Sequence, residues 1–182
     1  MGSKILGCGP WACTWPFDRT VWPSFGGDTF RVILVLHDIG VSHEIAEGAK
    51  HGIGVKDAKK AGKPTYTAKL MEAEMANLGF DRSEIDVARA LVSDDPIGNH
   101  LRGSSLPTVS IRRMAQQSGM ALLDFFDLLL IFYMVDAGSY TEDAGGRKSL
   151  DSLFVFDRTG MKMTFSPETK KRIDVLRRSV EW

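Results

Sequence analysis

Apolar residues recur along this chain at helical spacing far more often than they alternate, and glycine, proline and capping residues divide the pattern into segments. The run Thr29-Phe-Arg-Val-Ile-Leu-Val-Leu-His37 follows Asp28, a side chain suited to cap a helix. Its β-branched content also permits a strand. Pro64 suits the first turn of a second helix reaching about Leu78 and stopped by Gly79. Leu70, Met71, Met75 and Leu78 form its expected inner stripe. Asp81-Arg-Ser-Glu84 has capping-box spacing and opens a third helix, with Ile85, Ala88, Leu91 and Val92 inward.

Pro96 and Gly98 predict a break, then a short helical turn near Asn99–Arg102. Ser105 and Pro107 start a helix over 108–117 that Gly119 ends. The most apolar stretch, 120–136, follows, and a short piece capped by Ser149 or Asp151 is expected to run through Phe156. Ser166-Pro167-Glu168 opens a last helix with Ile173, Leu176 and Val180 on one stripe. Helix succeeds helix without strand-and-crossover alternation, which predicts an all-α fold. Residues 1–28 show no period and hold Trp11, Trp15 and Trp22 among prolines and glycines. They read as an irregular N-terminal segment before one helical domain at 29–182.

As a helix, the stretch from Met120 to Val135 would be roughly 24 Å long. A bilayer core is about 30 Å, and Asp124 and Asp127 interrupt the run, so a core helix is expected rather than a membrane span. No basic stretch leads into an apolar region at the N-terminus, so no secretory signal is expected. Cys8 and Cys13 cannot build a disulfide framework, which points to a reducing, cytoplasmic setting.

Charge narrows the functions. Lys and Arg number 23 and Asp and Glu 23, so a dedicated nucleic-acid binder, with its basic excess, is not expected. The balance is uneven, however. Residues 48–63 carry five lysines and four glycines against one aspartate, a basic loop able to attract a phosphorylated small molecule, with Lys63 at its end. It lacks the phosphate-loop pattern of glycines followed by Lys-Ser or Lys-Thr.

The sharpest chemical feature is His37-Asp38-Ile39-Gly40 at the end of an apolar helix. An adjacent imidazole and carboxylate can hold one metal ion together; the simpler reading is a helix end and its hydrogen-bond partner. Asp94-Asp95 divides similarly between carboxylates near a cation and a helix end leading into Pro96. His100 and Arg102 follow closely, able to meet a phosphate or merely to line a solvated face. Ser139, Tyr140 and Thr141 at the end of the apolar helix either bond a substrate or cap the helix.

The segment Leu34-Val-Leu-His-Asp-Ile-Gly40, together with Leu128-Leu-Leu-Ile-Phe-Tyr-Met-Val-Asp136, resembles the HD-domain superfamily of metal-dependent phosphohydrolases over roughly residues 28–140. The resemblance implies a compact helical domain in which His37, Asp38 and Asp136 ligate a divalent metal, Mg, Mn or Fe. It implies Asp94 or Asp95 as an acid that orients water or takes its proton. Lys63, His100 and Arg102 would meet the phosphate of a nucleotide-like or other phosphoester substrate.

No histidine precedes His37, where the family supplies a further ligand, and Asp18 or Asp28 would have to replace it. Residue 41 is Val where many members carry a basic side chain, and His43 and His51 do not fall at matching spacings. These departures support a second reading: an HD-like module without catalysis, binding a protein partner through its Trp-rich N-terminal segment.

Overall fold

The computed structural model describes residues 26–40, 46, 63–103, 107–139, 146–157 and 163–181. The Trp-rich segment, Asp18, both cysteines, His43, His51, most of the lysine-rich loop, Ser105, Tyr140 and Thr141 lie outside these residues.

The described residues are mostly helical, as the periodicity predicts. In chain order they form α1 (Gly27–Leu36), α2 (Lys63–Asn77), α3 (Arg82–Val92), α4 (Pro96–Leu101), α5 (Pro107–Ser118), α6 (Leu122–Gly138), α7 (Gly146–Leu153) and α8 (Pro167–Glu181). Strands β1 (Phe154–Phe156) and β2 (Met163–Phe165) lie between α7 and α8. They pair antiparallel with Phe154 opposite Phe165, and those two rings stack at 5.3 Å. This small sheet departs from the expected helical piece ending at Phe156. The departure falls on Phe-Val-Phe and Met-Thr-Phe, whose aromatic and β-branched side chains suit a pleated surface.

Helix α2 packs on α3, α3 on α5 and α5 on α6, with α1 against α2 and α3, and α8 closing over α4, α5 and α6. The core is built from Ile33 of α1, Met71 and Met75 of α2, Leu91 of α3, Ile97 of α4, Met114 of α5, Phe125 and Phe126 of α6, and Leu176 of α8. The inner stripe of α2 is Thr67, Met71 and Met75, each a helical turn apart, whereas Leu78 is exposed. The helix has already ended there: Phe80 N–H returns to Met75 O and Gly79 N–H to Ala76 O, with Gly79 at φ +86°. That Schellman stop turns Leu78 outward.

Two further local expectations are corrected. Gly26, not Asp28, occupies the cap position of α1, and Asp28 sits in the first turn bonded to Arg31 at 3.0 Å. The break before the short helix is present, since α3 ends at Val92, but Pro96 and Gly98 lie inside α4, which starts at Pro96 because Asp95 caps it. Proline costs nothing in the first turn, where its missing N–H has no partner to lose.

Helix α1 is held where the site needs it. Asp81 and Glu84 form the expected capping box of α3, and Glu84 also accepts the buried Thr29 hydroxyl of α1 at 2.5 Å. In α6, Phe125, Phe126, Leu128 and Leu129 are buried, while residues 130–136 are only partly covered. Among the described residues no single helix is long and apolar enough to cross a membrane.

Candidate functional site

Helix α1 ends at Leu36, and the turn His37–Gly40 brings its polar residues toward the last turns of α6. His37 Nδ1 lies 2.6 Å from the Leu34 carbonyl oxygen. A carbonyl only accepts, so Nδ1 carries a proton, and Nε2 is the nitrogen turned toward other chemistry. It stands 3.1 Å from Asp136 Oδ1 and 3.5 Å from Asp38 Oδ2. One turn before Asp136 on the same helix face, Phe132 meets the His37 ring edge-on, with centroids 6.0 Å apart.

An imidazole nitrogen carrying only a lone pair would repel both carboxylates, so this geometry demands a positive centre between them. In the metal-free protein that centre is a proton. The hydrogen bond to Asp136 raises the His37 pKa above its usual value; burial opposes it, while the Leu34 carbonyl and the Asp38 and Asp136 charges add to it. The His37 and Asp136 side chains are 22% and 29% exposed, enough protein cover to strengthen their attraction while leaving access.

The three side chains assigned to the metal by the resemblance are therefore neighbours. One nitrogen and two carboxylates suit Mg, Mn or Fe(II) in kind, and a cation would compete with the Nε2 proton for the same position. Even so, among the described residues no group of three or more His, Cys, Asp or Glu side chains is arranged as a metal site.

The two adjacent aspartates part company. Asp94 turns toward α5, where it accepts from the Ser110 hydroxyl and lies 3.6 Å from Arg113, with its other oxygen on the Asp95 N–H. Asp95 caps α4 by accepting the Gly98 N–H at 2.9 Å, and Arg102 donates to it at 3.0 Å. Burial raises the Asp95 pKa, the Gly98 N–H and Arg102 pull it down, and the Asp136 charge adds to the rise. Asp95 thus feels the charge of Asp136. Gly98 is needed for its pose, because a Cβ there would lie 2.2 Å from Asp95 Oδ2.

Arg102 also donates to Asn99 Oδ1 at 2.8 Å, and its side chain stays 62% exposed, so it presents a charge to solvent next to Asp95. His100 faces elsewhere. Its Nε2 lies 3.1 Å from the Arg172 carbonyl, and the Arg172 guanidinium returns to the His100 carbonyl at 2.9 Å, tying α4 to α8. Lys63 is the first residue of α2. Ser139 caps α6: its hydroxyl and N–H both donate to the Asp136 carbonyl.

Sequence reasoning did not identify Phe132 or the Leu34 carbonyl. The four-residue spacing from Phe132 to Asp136 was the available signal for the first. The second is backbone and leaves no mark in the residue types. Compared with known proteins, the chain matches no family model, no curated protein and no solved structure.

Proposed function

We propose that the chain is a metal-dependent phosphohydrolase of HD type acting on a nucleotide-like or other phosphoester. The observation that carries the reading is the position of His37 Nε2 between Asp136 and Asp38 while Nδ1 is committed to the Leu34 carbonyl. Metal-ligating histidines characteristically use their second nitrogen in this way.

In this reading His37, Asp38 and Asp136 are the ligands. A divalent ion supplies an acidified water and neutralises charge developing on a phosphoryl oxygen. Asp95, held by Gly98 and Arg102, takes the proton from the attacking water, and its raised pKa suits that role. The water oxygen forms the new bond to phosphorus. The ester oxygen leaves with the electron pair of the broken bond and takes up a proton, which restores the Asp95 carboxylate directly or through solvent. Arg102, exposed beside Asp95, neutralises phosphate charge on the substrate.

A second reading is favoured by a separate observation. No histidine precedes His37 and residue 41 is Val rather than a basic side chain, which suits an HD-like module that has lost catalysis and keeps the His37–Asp136 pair as a structural bond. Elemental analysis of the purified protein, thermal melts with and without Mn, and turnover of a panel of phosphate esters separate the two. The hydrolase reading expects bound metal and turnover that Asp136→Ala abolishes; absence of metal with an unchanged melt supports the module.

A further inference from the structure

We infer that Gly40 and Thr67 form a positioning contact that sets the His37–Asp38 pair against Asp136. Gly40, last residue of the turn carrying that pair, is buried, and Thr67 of α2 lies against it. A Cβ at Gly40 would lie 2.5 Å from both the backbone nitrogen and the hydroxyl oxygen of Thr67, and 2.9 Å from its Cα. Two of these three atoms are backbone. No side-chain rotation relieves such an overlap, so any residue larger than glycine must push the turn away from α2.

The turn has little freedom to absorb that push. Its start is bound through the Ile39 N–H to Leu36 O at 3.0 Å and through His37 Nδ1 to Leu34 O at 2.6 Å. Displacement is therefore passed to the ring that meets Asp136. Helix α2 in turn is anchored below the contact by Met71 and Met75, both fully buried, so Thr67 is a fixed surface rather than a yielding one.

Thr67 itself is 1% exposed, and among the described residues its hydroxyl has no hydrogen-bond partner. A buried hydroxyl without a partner is disfavoured, and threonine in a helix ordinarily bonds a carbonyl one turn back. Here the hydroxyl oxygen instead lies against Gly40, as one of the three atoms that a Cβ there would meet. Gly40 and Thr67 act on the site through His37 and Asp38, not by touching a substrate.

The test reads the site without relying on turnover. In metal-free protein at fixed pH, the ring-nitrogen resonances of His37 are compared between wild type, Gly40→Ala, Thr67→Ala and Thr67→Ser. The His100 ring, bonded to Arg172 in the α4–α8 contact, serves as the internal reference. Gly40→Ala is expected to shift the His37 resonances strongly while those of His100 stay in place. Thr67→Ala, which keeps the backbone but removes the hydroxyl contact, is expected to give a smaller shift in the same direction, and Thr67→Ser to restore the wild-type position. His37 resonances unchanged in both Gly40→Ala and Thr67→Ala overturn the inference; if Gly40→Ala does not fold, the two Thr67 variants decide it.

Mn affinity is the second readout and rests on the hydrolase reading. A loss of about tenfold is expected in Gly40→Ala and about threefold in Thr67→Ala, with helical circular dichroism retained. Wild-type protein that fails to bind Mn defeats the hydrolase reading and leaves the resonance test standing. Wild type that binds Mn with no loss in either variant defeats the positioning contact alone.

Discussion

His37 and Asp136 meet at 3.1 Å, one just past the end of α1 and the other in the last turn of α6. The two helices approach with a donor and an acceptor aligned, and the Leu34 carbonyl leaves the His37 ring one orientation. The pair has a pH signature in metal-free protein. Because the folded state raises the His37 pKa, the stability it contributes is fully present below the unfolded value of about 6.5 and is lost as pH rises through the folded value. Urea unfolding across that window should show a decline toward alkaline pH that shrinks in Asp136→Asn, where the Leu34 carbonyl and Asp38 still act on His37. At pH 6 the substitution should cost about 1 kcal/mol, the scale of a partly exposed charged hydrogen bond.

Metal binding should reverse the pH dependence. A cation held by His37, Asp38 and Asp136 displaces the Nε2 proton, so affinity should rise with pH through the His37 pKa. Saturating Mn at about 100 times its dissociation constant should stabilise wild type by about 2.7 kcal/mol. Asp38→Ala should lose most of that gain while its metal-free stability changes little, since the Asp38 side chain is 53% exposed. Melting curves with and without Mn at pH 6 and pH 8 check both statements, and an Asp38→Ala protein that Mn stabilises as fully as wild type removes Asp38 from the site.

Much of this arrangement was legible from local signals. The Asp81–Glu84 capping box, the Gly79 stop and the Ile173, Leu176 and Val180 stripe each depend on residues within a few turns of one another, and each has its expected form. The short hairpin at Phe154–Phe165 was not legible, because three-residue strands offer too few positions for an alternating pattern to stand out. Within the candidate site, His37-Asp38 is legible as a motif, and Asp136 is pointed to by the family resemblance rather than by spacing. The division between Asp94 and Asp95 was out of reach. Asp94 is drawn to α5 by Ser110 and Arg113, while Asp95 caps α4 and bonds Arg102, partners that adjacent residue types do not announce.

The inner stripe of α2 offers a packing test that also discriminates the sequence expectation from the fold. Met75 is fully buried among the core residues, whereas Leu78 is 64% exposed beyond the Schellman stop. Met75→Ala should destabilise by about 2–5 kcal/mol through lost burial and an incompletely collapsed cavity. Leu78→Ala should stay within about 0.5 kcal/mol of wild type. Chemical denaturation of both variants measures the difference, and a large loss for Leu78→Ala would mean that this end of α2 packs differently.

Asp95 caps α4, the proposed hydrolysis would give it a second duty, and one pair of variants divides the two. As cap of α4 it needs only an acceptor for the Gly98 N–H, which asparagine also provides; as proton acceptor in the proposed hydrolysis it would need a carboxylate. Asp95→Asn should therefore keep stability within about 0.5 kcal/mol of wild type, while Asp95→Ala should lose about 1 kcal/mol, the usual worth of a cap. Hydrolysis should respond differently, falling by about 10²-fold or more in both variants, the range for general-base catalysis. Measuring unfolding and turnover on the same preparations gives both quantities. A stable Asp95→Asn protein with full turnover would confine Asp95 to capping α4, leaving the proton to a group elsewhere in the chain.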